Sequence, residues 1–182
     1  VAHSKSPAIH AEFARQTGQA ISYVTLHAEP AAFEHAVQAF RDSGGRGLNV
    51  TLPFKHRAYA LAQVRAPRAQ EALAVNTLSF APGCVAGDNT DGVGLVRDLT
   101  LNLGCDLRDR RVLLMGAGGA SYGVCGPLLE ARPAALVVVN RTLDKARELC
   151  AHFGREREDA SGLSASGYDA LGGQAFDLVI NA

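Results

Sequence analysis

The sequence lacks an excess of charge of either sign, since 18 lysines and arginines balance 18 aspartates and glutamates over 182 residues. No net field draws such a chain to nucleic acid or to an anionic membrane, so a small neutral or anionic ligand is the expected partner. Cysteine is sparse and scattered: Cys84, Cys105, Cys125 and Cys150 form no CxxC and have no histidine at metal-ligand spacing. This argues against a zinc site and against a dense disulfide framework, so no metal is expected and a reducing cytoplasm fits. No run reaches the roughly 20 apolar residues of a membrane span, and the first residues lack a charged-then-apolar leader pattern. A soluble, cytoplasmic monomer or homodimer is the expectation.

What is present is a hydrophobic fraction of 47%, ample for a core. The length allows one large or two small α/β units. The chain starts at valine and stops at "VINA", directly after an apolar run, so segments are expected to be missing from both ends.

Along the chain, helical and strand patterns alternate. Ser6-Pro7 opens a helix, with Ser6 as N-cap and Ile9 and Phe13 on one face. "ISYVTLH" alternates like a strand, and Pro30 starts a helix carrying Phe33, Val37 and Phe40 up to Gly44-Gly45. "GLNVT" reads as a strand and "FKHRAYALAQV" as a helix. "AVNTLSF" and "CVAGDN" read as a hairpin across Pro82-Gly83. The pattern predicts an α/β unit with a mostly parallel sheet and an antiparallel edge over residues 1–91.

A helix over "GVGLVRDLTLNLG" and the charged connection "LRDRR" lead to a second unit, residues 92–182. There "RVLLM", "ALVVVN" and "AFDLVINA" are strands and the stretches between them helices, a βαβαβ half of a doubly wound sheet; "ASGLSASG" reads as a loop. This predicts an incomplete Rossmann-type domain.

The glycines of "GAGGAS" sit between a strand and a helix. Gly116, Gly118 and Gly119 there allow backbone to approach a pyrophosphate at a helix N-terminus. A tight turn alone would explain a glycine pair; the following strand, about 20 residues on, makes dinucleotide binding the better reading. Ser121 replaces the third glycine of the usual pattern, which predicts slightly looser helix packing. The second strand ends in "NRT" rather than in a carboxylate, with Lys145 one turn beyond Arg141. A carboxylate would repel a 2′-phosphate, whereas Arg141 can hold it with paired charge-assisted hydrogen bonds, so NADP is favoured over NAD.

The front half must supply a substrate site. Ser4 and Ser6 precede a helix and could grip a carboxylate, although local sequence alone favours Ser6 as a cap and offers no such explanation for Ser4. "NVT", "AVNT" and "GDNTD" place polar residues at apolar strand ends. Each alone is ordinary turn chemistry; with Lys55 they can converge on the crevice where open α/β sheets bind ligands.

"AHSKSP", "NVTLPFK", "AVNTL", "GDNTDG", "GAGGAS", "NRT" and "FDLVINA" occur in the order and spacing of the shikimate dehydrogenase family, which the chain resembles over essentially its whole length. The resemblance implies an NADP-dependent oxidoreductase that reduces 3-dehydroshikimate to shikimate in chorismate and aromatic amino acid biosynthesis. It implies that Ser4 and Ser6 hold the substrate carboxylate and that Thr51, Asn76 and Asp91 hold its hydroxyls. Lys55 and Asp91 would form the catalytic pair. Gly116, Ala117, Gly118, Gly119, Ala120, Asn140, Arg141, Thr142 and Lys145 would hold NADP. Leu73 stands where the family has glycine, and Tyr122 where it commonly has arginine. The family also has a strand before "AHS" and, past "INA", further strands and a helix that brings a glutamine to the substrate.

Mechanistically, reducing a ketone requires a proton for the oxygen as hydride arrives, and a partly desolvated ammonium can supply it. A nearby aspartate orients that group while opposing the loss of its proton. Two other readings remain: a quinate dehydrogenase using NAD, which would carry an acidic residue at Arg141 and threonine at Ser6, and a ligand-sensing regulator, which would not need Lys55 and Asp91.

Overall fold

A computed structural model describes residues 4–182, and the chain divides into two compact units between Ala39 and Phe40. Ala2 and His3 of "AHSKSP" lie outside the described residues. The boundary expected between residues 91 and 92 separates two sheets inside the second unit.

In the first unit, helix α1 (Ser6–Thr17) begins with proline in its first turn, and Lys5 occupies the cap position. Ser6 is thus inside the helix, and its N–H donates to the Ser4 hydroxyl at 3.3 Å. The capping role expected of Ser6 falls to its neighbour two residues back. Ile9 and Phe13 share a face as expected but are about half exposed. "ISYVTLH" is not a strand. An extended segment needs a partner for its backbone groups, and no other strand lies among the described residues of this unit. A single 3₁₀ turn, Pro30–Ala32, then leads into α2 (Phe33–Asp42).

The second unit contains two sheets. The first runs β1 (Gly47–Asn49), β3 (Thr77–Ala81), β4 (Cys84–Asp88), β2 (Val64–Arg65) in spatial order. Only β2 and β4 are parallel; β1–β3 and β3–β4 are antiparallel, so this sheet is not the mostly parallel one expected. The reason is local: Pro82-Gly83 turns β3 straight back onto β4, and a tight hairpin can only make an antiparallel pair. Helices α3 (Lys55–Leu61) and α4 (Pro67–Ala72) flank it. The α4 helix, unforeseen in the sequence, is six residues long, too short for a helical period to be read.

The second sheet, in order β7 (Leu163–Ser166), β6 (Ala135–Val139), β5 (Arg111–Met115), β8 (Leu178–Asn181), is parallel throughout. Helices α6 (Gly119–Glu130) and α7 (Leu143–Glu156) are its crossovers. Val112, Leu114, Leu136 and Val138 pack with Leu128, Leu149 and Phe153 on one face, while Leu113, Val137 and Val139 meet Leu171 and Phe176 on the other. Burial on both faces is why these strands read as unbroken apolar runs. The segment "ASGLSASG" supplies edge strand β7 rather than a loop. Its backbone pairs with β6, from Leu136 with Leu163 to Val139 with Ser166, and an edge position does not need large apolar side chains.

Helix α5 (Asp91–Arg97), prolonged by a π turn Asp98–Asn102, carries the chain from one sheet to the other and lies on α6. Gly92 makes this approach possible, because a Cβ there would stand 2.3 Å from the Gly123 carbonyl oxygen. A second tie runs through Arg157, whose guanidinium pairs with Glu71 of α4 and with both oxygens of Asp159 at 2.8 and 2.7 Å. His152 of α7 donates to the Glu71 carbonyl at 2.7 Å.

Candidate active site

Lys55 is the first residue of α3 and Asp91 the first of α5. Both helices start where a strand of the first sheet has just ended, so their first side chains meet at one rim. The Lys55 ammonium donates to Asp91 Oδ2 at 2.7 Å, with side chains only 11% and 28% exposed. Asp91 Oδ1 accepts from the Asn76 amide at 2.8 Å. The same amide reaches Thr90 Oγ1 at 3.0 Å, and Asn76 Oδ1 accepts from the Thr90 N–H at 3.1 Å and the Thr77 hydroxyl at 2.8 Å. Three residues from three separate motifs thus share one hydrogen-bonded network, and two donors of the Lys55 ammonium remain for a ligand.

The turn "GDNTD" is built to hold this network still. Asn89 is buried, its amide donating to the Ala74 carbonyl and its oxygen accepting from the Asp91 N–H at 3.1 Å. Asp88 takes two hydrogen bonds from Arg68, at 2.7 and 2.6 Å, which hold its carboxyl below the usual aspartate range. Asn89, Arg68 and Thr90 were not read from the sequence as site residues. Asn89 and Thr90 had looked like turn residues, and Arg68 lies on the unforeseen α4. Thr51 is exposed near the same rim, its carbonyl accepting from the Phe54 N–H. Ser4 and Ser6 belong to the first unit, where their mutual hydrogen bond is the contact described above.

The glycine loop follows β5. Gly116 has φ +113°, and a Cβ there would stand 2.2 Å from the Ala182 carbonyl oxygen, so the fold itself demands glycine. Gly118 is different. Its φ of −101° suits any residue and a Cβ would touch nothing within 4 Å. The protein's own packing gives no reason for glycine there; a ligand lying across the backbone does. The N–H groups of Gly119, Ala120 and Ser121 have no partner inside α6, whose first bond runs from the Tyr122 N–H to the Gly118 carbonyl. A dinucleotide pyrophosphate therefore fits this loop. Ser121 is fully buried, and its hydroxyl has no partner among the described residues. Ala117 links the strand to this turn.

At the end of β6, the Asn140 amide donates to the Thr142 carbonyl at 2.9 Å and so shapes the turn into α7. Arg141, Thr142 and Lys145 are exposed, and neither Arg141 nor Lys145 forms an ion pair with a described residue. Both cations are available to an anion beside the loop. Among the described residues no cluster of acids, histidines and cysteines could hold a metal, and no helix is long and apolar enough to cross a membrane. The cysteines are free thiols; burial raises Cys125 far above its ordinary value and Cys150 to about 11.

An open groove of about 1020 Å³ lies on the side of Arg68. Arg68, Glu71 and Arg157 line it and pair within the protein, and none of the site residues singled out from the sequence lines it.

A family model described as the shikimate dehydrogenase substrate binding domain matches residues 1–78, and one described as shikimate / quinate 5-dehydrogenase matches residues 98–171. A shikimate dehydrogenase (NADP(+)) of Aromatoleum aromaticum is 56% identical over all of this chain and 65% of its own length. The crystal structure of an Ael1 enzyme from Pseudomonas putida superposes with a TM-score of 0.89 at 47% identity, covering 99% of this chain and 65% of that one. The shikimate 5-dehydrogenase of Thermus thermophilus, solved in complex with NADP(H) and shikimate, gives 0.86 at 34% identity over all of this chain and 64% of that one. The chain spans about 65% of the length of the curated relatives it matches. With both family models in sequence order and a relative 56% identical over all of its residues, the chain belongs to the shikimate dehydrogenase family.

Proposed function

We propose that the chain forms the larger part of an NADP-dependent oxidoreductase that interconverts 3-dehydroshikimate and shikimate, reducing the ketone in the biosynthetic direction. The observation that carries this reading is the Lys55–Asp91–Asn76 network, a shielded ammonium held by a carboxylate at a strand-end rim. Residues 1–91 hold the substrate and residues 92–182 the cofactor. Bound NADPH supplies hydride to the carbonyl carbon. Lys55 gives a proton to the oxygen as it gains charge, becomes an amine and is reprotonated from water. Asp91 orients the ammonium with one oxygen and, together with Asn76 and Thr51, takes substrate hydroxyls. Ser4 and Ser6 take the substrate carboxylate. Gly116 to Ala120 cradle the pyrophosphate, Asn140 and Thr142 shape the turn beside it, and Arg141 and Lys145 hold the 2′-phosphate.

Spectrophotometric detection of NADPH tests the reading. The full chain should reduce NADP with shikimate and do so poorly with quinate or with NAD. Turnover of quinate with NAD at comparable efficiency would overturn the assignment of both substrate and cofactor.

A further inference from the structure

His56 follows Lys55 directly on α3, yet its ring turns toward the other sheet. Its Nε2 lies 3.3 Å from the place a Cβ on Gly119 would occupy, so the ring edge stands against the first turn of α6. Its Nδ1 is 2.8 Å from the Leu73 carbonyl oxygen. A carbonyl can only accept, so Nδ1 carries a proton; Nε2 is a bare lone pair in the neutral ring and a second donor in the imidazolium. Leu73 itself is held at φ +49°, at the C-terminal end of α4, which aims its carbonyl at the ring. Two helices carry ionisable groups next to His56. Helix α6 contributes Tyr122, edge-on at 6.4 Å between ring centroids and itself held protonated by burial, and α3 contributes Lys55 and Arg57. Among the described residues no carboxylate is bonded to the ring.

We propose that His56 is a pyrophosphate-contacting residue of the cofactor site, and that NADP binding recruits a proton to its Nε2. The proposal rests on the cofactor reading above. A neutral Nε2 beside the unpartnered amides of Gly119 and Ala120 would set a lone pair against phosphate oxygens, which also only accept. Protonation turns that repulsive contact into a charge-assisted donor, with Nδ1–H still bonded to Leu73. A bound anion favours the imidazolium, the form that can make this contact. Two consecutive residues of α3 then serve the two halves of the reaction site: Lys55 faces Asp91 and His56 faces the glycine loop.

The test is calorimetric titration of the full chain with NADP from mildly acidic to mildly alkaline pH, in buffers of differing ionisation heat, for wild type and His56→Gln. Glutamine keeps a donor for Leu73 but cannot be protonated. Ionisation of the 2′-phosphate affects both proteins alike, so the difference between them reports His56. At the acidic end wild type should bind about tenfold more tightly than His56→Gln, converging at the alkaline end, and should take up a proton that the variant does not. The ¹⁵N shift of Nε2 in the complex should be that of an imidazolium; His56→Ala identifies the resonance by its loss. Parallel pH profiles with a neutral ring would overturn the role of His56 while leaving the cofactor reading intact. Absence of NADP binding in both proteins at every pH would overturn both.

Discussion

Replacing Lys55 with alanine removes the ammonium 2.7 Å from Asp91 and leaves the rest of the network in place. A positioned proton donor typically contributes about 10²- to 10⁴-fold, so kcat in the full chain should fall by that factor, about 3 to 5 kcal/mol of transition-state stabilisation. KM for shikimate should move far less, because the hydroxyl contacts assigned to Asp91, Asn76 and Thr51 survive. Stability separates this variant from Asp91→Ala. Without Lys55, Asp91 is still 28% exposed and keeps the Asn76 amide at 2.8 Å, so the loss should be about 1 kcal/mol or less. Without Asp91, an ammonium only 11% exposed loses its carboxylate, and the cost should be about 1.5 to 3 kcal/mol, with kcat and KM both damaged. Steady-state kinetics and urea denaturation of the two single variants and the double variant complete the cycle. If Lys55→Ala raises KM with kcat untouched, Lys55 binds substrate and the proton comes from elsewhere; if it destabilises as much as Asp91→Ala, the pair is structural.

Arg141→Ala should weaken NADP by about 10- to 100-fold and leave NAD almost unchanged, measured by fluorescence titration; equal losses would refute a 2′-phosphate contact. Leu73→Gly should stabilise the fold by up to about 1 kcal/mol in thermal denaturation, since leucine is held at φ +49° where glycine carries no steric penalty. Gly92→Ala should destabilise by about 1 to 3 kcal/mol, because its Cβ would meet backbone that cannot yield, and unchanged stability would contradict the close approach of α5 and α6. Arg68 holds the Asp88 carboxyl low, so the pair stabilises the fold above about pH 4 and that contribution is lost as pH falls below it. Melting wild type and Arg68→Ala at about pH 6 and about pH 3 should therefore show the larger acid-induced drop in wild type.

The second sheet was legible because buried parallel strands leave continuous apolar runs, as in "VLLM" and "LVVV", punctuated by glycine and asparagine at the turns. Its edge strand β7 was not, because Ser164 and Ser166 face an environment that tolerates small polar residues. The partnership of Lys55 with Asp91 came from the resemblance. No local pattern links residues on different helices, and only the shared rim of the first sheet explains their meeting. His56 escaped notice for the same reason: its significance lies in Gly119, far along the chain, rather than in its neighbours on α3. Residues 21–27 show the converse error, an alternating pattern without a ladder to join.

The Arg157 tie between α4 and the segment after α7 bears on how the protein comes apart. Regions that open independently are joined by few bonds and expose little when they separate. Here, opening the first sheet away from the second would strip Arg157 of Glu71, His152 of its carbonyl acceptor, and α6 of the flush contact at Gly92 together. The guanidinium, only 16% exposed, would retain Asp159 and the more distant Glu130. Partial opening thus breaks several contacts at once, so amides of both sheets should share an opening step in hydrogen exchange of the Phe40–Ala182 unit.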